Sequence, residues 1–393
     1  MTDRPLLADV AAALEQGRRE GVAPALSAAV LRGGAPVHAS VHGEIPAPSP
    51  RPLGEADLFD VASLTKVMAT ATLAAQLAGA GTLRLDAPVA ETLPEFAAAG
   101  KERVTARHLL AHSAGLVAWR PWFERAAADP VAGAAFLAPG ARPPLAALRA
   151  AFARGKELVR AAVLAERPEA PPGTRALYSD AGFLALGFLL EALLGEPLAR
   201  AAERRVFAPL GLSSTFFLDA LEPERALALA AGRAFAPTEA CPHRREVNQG
   251  AVNDDNAWAL GGAAGHAGVF STALEVAAVG QAWLDALHGR RSVVPAEAAA
   301  ELARRDATPG TTRGLGWDTR SPEGSSLGTR LGRGPRGAIG HLGFTGTSLW
   351  VDLDAEIVVA LLTNRVHPTR ENERIRAFRP RLHDAVADAL DIR

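Results

Sequence analysis

Ser63 and Lys66 stand three positions apart at the head of a helical pattern over residues 63–78. Residues i and i+3 share a helix face, so the Lys66 amine can lie beside the Ser63 hydroxyl. A free serine hydroxyl is a poor nucleophile and needs a base at hand. A lysine serves as that base when burial and cationic neighbours depress its pKa. The start of a helix adds free N–H groups and a positive dipole end, both of which favour a developing oxyanion. The bland alternative is a capping serine followed by a surface lysine. Against it, lysine is scarce: Lys66, Lys101 and Lys156 are the only three, in a chain with 42 lysines and arginines together.

The flanking pattern says what must position this pair. Residues 25–44 alternate around Gly33-Gly34, which predicts two strands and a tight turn. A loop with Pro46, Pro48, Pro50 and Pro52 precedes the 63–78 helix. The middle is rich in Ala, Leu, Arg and Glu over 141–205, with Pro-Gly breaks at Pro139-Gly140 and Pro171-Pro172-Gly173. Residues 248–271 are polar and glycine-rich and read as loop. A helix is predicted over 273–287. Residues 338–363 predict strand, strand, a turn at 352–355 and strand, and 372–390 a final helix. Strands at both ends with helices between imply one sheet closed by the two ends of the chain, with a helical insertion. The expected fold is therefore α/β (α+β): an antiparallel sheet flanked by helices, plus a mostly helical domain. The expected division puts 1–78 and 305–393 in the sheet domain and 79–304 in the helical one, with the site between them.

The 393 residues are 48% hydrophobic and 22% charged, a globular composition with a formal net charge of −1. No basic block is present, so nucleic acid is not an expected partner. One cysteine, Cys241, excludes an intrachain disulfide and a cysteine-rich metal site. Residues 1–20 form an amphipathic helical pattern with Asp3, Asp9 and Glu15, not an apolar signal core, so the default location is cytoplasmic. The apolar run over 183–194 is interrupted by Glu191 and suits a buried helix rather than a membrane span.

Residues 59–66, Phe-Asp-Val-Ala-Ser-Leu-Thr-Lys, resemble the nucleophile motif of the serine β-lactamase and penicillin-binding-protein superfamily. They are most similar to the branch holding class C β-lactamases, D-aminopeptidases and related esterases. That superfamily carries three ordered motifs. Tyr178-Ser179-Asp180 stands in the place of its Tyr-x-Asn, and His341-Leu342-Gly343 fits the His-x-Gly form of its third motif. Residues 104–116, 207–217, 265–272 and 314–317 resemble further family segments, so the resemblance runs from about residue 20 to 365. It implies that Ser63 forms an acyl-enzyme, and that Lys66 and Tyr178 handle the proton as general base and acid. Tyr178 is the sole tyrosine of the chain. The resemblance further implies an oxyanion hole of the Ser63 and Phe344 N–H groups, with Gly343 leaving room for substrate along the strand edge.

Two positions depart from the family pattern. Asp180 replaces the usual asparagine; it can still hydrogen-bond Lys66, but as an anion it raises the lysine pKa. His341 replaces a lysine, and a largely neutral histidine binds a substrate carboxylate less well than a fixed cation does. Both changes point away from efficient β-lactam hydrolysis. The function expected is a serine hydrolase acting on a carboxylic ester or amide, a small-molecule or peptide-like substrate, with no metal and no organic cofactor. A non-turnover acyl-peptide binder or sensor is the alternative.

Other patterns are weaker. Ala111-His112-Ser113-Ala114-Gly115 lacks the preceding strand that a nucleophile elbow needs. His108 and His112 have zinc-helix spacing, but Leu109 stands where the glutamate belongs. The glycines of 332–337 precede a strand rather than a helix, which fails as a dinucleotide fingerprint. Asp254-Asp255-Asn256 reads as a loop at the cleft rim, and His266, between Gly265 and Gly268, as loop packing with reach to the cleft as the alternative.

Overall fold

A computed structural model describes residues 7–46 and 50–392. Pro48 of the expected proline loop, and Asp3 of the expected first helix, lie outside those residues. Strands β1 (Ala25–Arg32) and β2 (Ala35–Ile45) form a hairpin. Its turn places Gly33 and Gly34 at φ 56° and 84°, the two positive values that a two-residue hairpin turn of this hand requires. β3 is Arg51–Pro52 and β4 Asp318–Thr319; β5 (Ala338–Leu342), β6 (Ser348–Asp352) and β7 (Ile357–Thr363) follow as a meander. The seven strands lie in the order β3-β2-β1-β7-β6-β5-β4. β1 pairs antiparallel with β7, Leu26 opposite Thr363, so the two ends of the chain close one sheet.

Both faces of that sheet are covered, which is why β1 and β7 are buried nearly throughout instead of alternating. Helices α1 (Ala8–Arg19) and α6 (Ile375–Ala389) cover one face. Val10, Leu14, Phe378 and Leu382 there pack on Leu26, Val30 and Leu361. Helix α5 (Ala273–Leu287) covers the other face, within the stretch expected to be helical. Its Gly280 has no room for a side chain: a Cβ would lie 2.7 Å from Val358 and 2.9 Å from Leu349. The mostly helical part includes α3 (Leu145–Leu164) and α4 (Asp180–Leu194). α4 is buried from Ala181 to Leu190, which accounts for its apolar run. No single helix among the described residues is long and apolar enough to cross a membrane.

Two local expectations change. The 63–78 segment is not one uniform helix. A tight 3₁₀ turn spans Ala62–Leu64, a wide π turn Lys66–Thr70, and α2 proper only Ala71–Gly79. Such wide turns gather at functional sites. The 248–271 loop contains a short helix, Asp255–Ala259, whose first free N–H groups are met by Asp254, and a strand, Val269–Ser271. That strand is the middle of a small sheet with Phe59–Asp60 and Phe216–Phe217. It pins the chain immediately before Ser63.

Candidate active site

Ser63 leaves this small sheet through a sharp bend. Val61 donates its N–H to Val269 O at 3.0 Å, and Ala62 takes φ 49°, a conformation a residue with a Cβ adopts at a cost of ~1–2 kcal/mol. The buried Asp60 carboxylate holds the bend, accepting from Ala62 N at 2.8 Å and from Asn253 N at 2.6 Å. Burial raises the Asp60 pKa to about 6 even against those two donors. The serine is thus delivered by a tensioned turn that tertiary contacts hold in place.

Lys66 is wholly buried. Its Nζ donates to Ser63 Oγ at 3.0 Å, to Asp180 Oδ1 at 2.7 Å and to the His266 carbonyl at 3.2 Å. Burial pulls its pKa down, but Asp180 and Tyr178 outweigh burial, and the net direction is up. Lys66 is therefore an ammonium, as the Asp180 substitution leads one to expect, and it offers a proton to Ser63 Oγ rather than a lone pair.

Tyr178 and Asp180 are placed by the start of α4. Ser179 caps that helix, its Oγ accepting from Gly182 N at 3.1 Å and donating to Val117 O at 2.6 Å. Ser179 N donates to His112 Nδ1 at 3.0 Å, and Leu177 N to His112 O at 2.8 Å. His112 is thus a clamp on the Tyr178 segment, its ring 4.6 Å from that of Tyr178, and not a zinc ligand. Burial leads the causes that push His112 well below the usual histidine range, so it is neutral. His108 caps its own helix through Thr105. Ser113 is buried in the loop that Gly173 N and Glu169 N bind. Among the described residues no cluster of His, Cys, Asp and Glu could hold a metal ion.

The third motif meets the first through two threonines. Thr345 Oγ1 donates to Asp60 O at 2.8 Å and Thr347 Oγ1 to Val61 O at 2.9 Å. Gly343 is needed for this contact. A Cβ would meet Thr347 Oγ1 at 1.9 Å and Val61 O at 2.7 Å, so the missing side chain makes room for the nucleophile segment, while Gly343 itself lines the cleft. Phe344 is 46% exposed at the cleft, an apolar ring left for a ligand to touch. His341 is buried, its ring 5.9 Å from that of Tyr178, and its Nδ1 donates to Leu342 O at 2.9 Å. Burial first, then Lys66 and Arg313, drive its pKa far down, so it is neutral.

Ser63, Tyr178, Asp180, His341, Gly343 and Phe344 line one cleft of about 520 Å³. Three features of it escape the sequence. Arg313 stacks on the Tyr178 ring, 4.9 Å from guanidinium carbon to centroid. His266 Nε2 bonds Asp254 Oδ1 at 3.0 Å, and both residues line the cleft. Burial works against the Asp254 carboxylate, but His266 chiefly, with the Ala257 N–H and Lys66, holds its pKa at about 2. Arginines gather beyond Phe344: Arg379 donates to Gly343 O at 3.0 Å and Arg365 to Phe344 O at 2.9 Å. Burial, with Arg365 and Arg376 adjacent, pulls Arg379 down to about 9. Only the position of Arg313 beside the 314–317 family segment, and of His266 inside the 265–272 segment, could have flagged those two.

A family model described as Beta-lactamase matches residues 10–381. This chain belongs to the β-lactamase family. Like the family, it is a serine hydrolase. A putative D-alanyl-D-alanine carboxypeptidase of Escherichia coli (strain K12) is 29% identical over 330 residues, covering 79% of this chain and 69% of that protein. Among solved structures, EstCE1, described as a hydrolase with promiscuous acyltransferase activity, superposes with a TM-score of 0.69 at 22% identity. It covers 97% of this chain and 98% of its own. A penicillin-binding protein homologue from Caulobacter crescentus gives 0.69 at 19%, covering 98% and 97%. The β-lactamase/transpeptidase-like fold expected from the motifs is the fold found.

Proposed function

We propose that this β-lactamase-family protein hydrolyses a carboxylic ester or amide through an acyl-enzyme on Ser63, with Tyr178 and Lys66 managing the proton. The observation that carries the proposal is Lys66 Nζ, 3.0 Å from Ser63 Oγ and at the same time paired to Asp180 at 2.7 Å. An ammonium fixed there stabilises negative charge growing on Oγ but cannot accept its proton. The acceptor is therefore Tyr178, the other titratable group of the pair. Oγ attacks the carbonyl carbon as its proton passes to the phenolate oxygen of Tyr178, leaving a neutral phenol. The oxyanion lies between the N–H groups of Ser63 and Phe344. As the bond to the leaving group breaks, Tyr178 returns the proton to it. Water then attacks the acyl carbon as Tyr178 takes its proton, and Tyr178 passes that proton to Ser63 Oγ as the acyl–oxygen bond breaks, which releases the acid and restores Ser63.

Arg376 and Arg379 at the Phe344 end of the cleft suit a substrate that carries a carboxylate. This fits a peptide-like amide, the class named for the carboxypeptidase relative, and also a charged ester. The experiment is labelling by an active-site phosphonate, with the adduct mapped by mass spectrometry, alongside steady-state hydrolysis of a short-chain nitrophenyl ester. Turnover with the label on Ser63 is expected. A label elsewhere refutes the proposal. A stoichiometric label on Ser63 without turnover replaces it by the non-turnover acyl-peptide sensor.

A further inference from the structure

If Lys66 stays charged, Tyr178 must be ready to accept a proton, and a phenol is a weak base for that purpose unless its anion is stabilised. The surroundings of its ring show what supplies the stabilisation. Lys66 Nζ, 4.9 Å from the ring centroid, is one source, shared with Asp180 at 2.7 Å. His112 and His341, with rings at 4.6 and 5.9 Å, are both neutral and add no charge. The second cation over that ring among the described residues is Arg313, its guanidinium carbon 4.9 Å from the same centroid. Its ion partner Asp318 is looser, Arg313 Nη2 to Asp318 Oδ2 being 3.3 Å, and both side chains line the cleft. A guanidinium over an aromatic face is attracted already by a neutral ring, and more strongly by a phenolate.

We infer that Arg313 is the positioning residue for the proton transfers of Tyr178, its guanidinium placing positive charge over the ring. The inference rests on the proposed Ser63–Tyr178 chemistry. No atom of substrate passes through Arg313. It biases the resting state in which Tyr178 takes the Ser63 proton and later returns it to the leaving group. Asp318 opposes it, because its carboxylate offsets part of the guanidinium charge.

The test is the pH dependence of kcat/KM for a neutral nitrophenyl ester, with the full chain, in wild type, Arg313→Gln, Arg313→Lys and Asp318→Asn. Phosphonate labelling of Ser63 counts the competent molecules in each preparation. In Arg313→Gln the acidic limb should move up by about one pH unit, a roughly tenfold loss below the limb that disappears well above it. Arg313→Lys should keep the charge and recover most of the shift. Asp318→Asn should move the limb the opposite way. An acidic limb unmoved in all three, with losses equal at every pH, means Arg313 only packs, and overturns the inference. If Arg313→Gln fails to fold, the lysine and Asp318 variants decide between the same two outcomes. Absence of any turnover or Ser63 label in the wild type would instead defeat the underlying proposal.

Discussion

Replacing Asp180 by asparagine removes the one carboxylate that bonds the Lys66 ammonium among the described residues. Two unit charges 2.7 Å apart attract by about 6 kcal/mol at an effective dielectric of ~20. Asparagine keeps the shape and a neutral hydrogen bond of about 1 kcal/mol. The Asp180 side chain is also 19% exposed, so water already screens part of the attraction. The loss expected at neutral pH is therefore about 2–4 kcal/mol, near the range found on breaking a buried pair. The dependence on pH discriminates better than the size. In the wild type the Lys66 pKa stands above its ordinary value of 10.5, so the native state holds this proton more tightly than the unfolded chain does. That contribution is fully present below pH 10.5 and is lost as pH rises through the folded value. In Asp180→Asn burial prevails, the native amine sheds its proton first, and the unfolded chain binds more protons. The variant should then regain stability as pH climbs toward that ordinary value. Urea unfolding of both proteins at steps from about pH 7 to about pH 10 measures the difference. A gap between the two curves that stays constant across those steps would falsify the assignment of Lys66 as an ammonium held by Asp180.

Ser63→Ala should cut ester turnover by at least ~10³-fold in steady-state assays while its thermal melt stays within a few degrees of wild type. Gly343→Ala puts a Cβ 1.9 Å from Thr347 Oγ1 and 2.7 Å from Val61 O. It should cost about 1–3 kcal/mol in denaturant melts, and adding Thr347→Ala should restore only part because the Val61 carbonyl remains. Asp60, with a folded pKa of about 6 against an ordinary 3.8, makes the native state bind the extra proton. Its contribution falls as pH rises from 3.8 to about 6, by roughly 2–3 kcal/mol. Asp60→Asn should flatten that part of the stability profile; an unchanged slope would remove Asp60 as its source.

The hairpin at Gly33-Gly34 and the meander over 338–363 were legible because turn chemistry and strand runs are local properties of the chain. So was the convergence of Ser63, Lys66, Tyr178, Asp180 and His341, through ordered motifs rather than through spacing alone. Arg313 was not legible. Arginine is the ordinary surface cation of this chain, and nothing in a linear pattern shows which one stacks on the sole tyrosine 135 positions earlier. The Asp254–His266 bond was missed for a related reason. Asp254 reads as a loop residue at the cleft rim and His266 as packing, and only the folded loop brings them to 3.0 Å. Gly343 was flagged as a place of close approach, and the close atoms in the fold are Thr347 Oγ1 and the Val61 carbonyl, which no linear pattern names. The uneven winding over 62–79 is a tertiary outcome, since its residues have ordinary helix propensities.

The threonine contacts at Asp60 and Val61 span 285 and 286 positions, and β1 finds its partner in the distant β7, Leu26 opposite Thr363. During synthesis the serine turn therefore emerges long before anything exists to brace it. A chain made only as far as the serine turn lacks Phe344, Thr345 and Thr347, and so lacks both the brace of that turn and the far wall of the cleft.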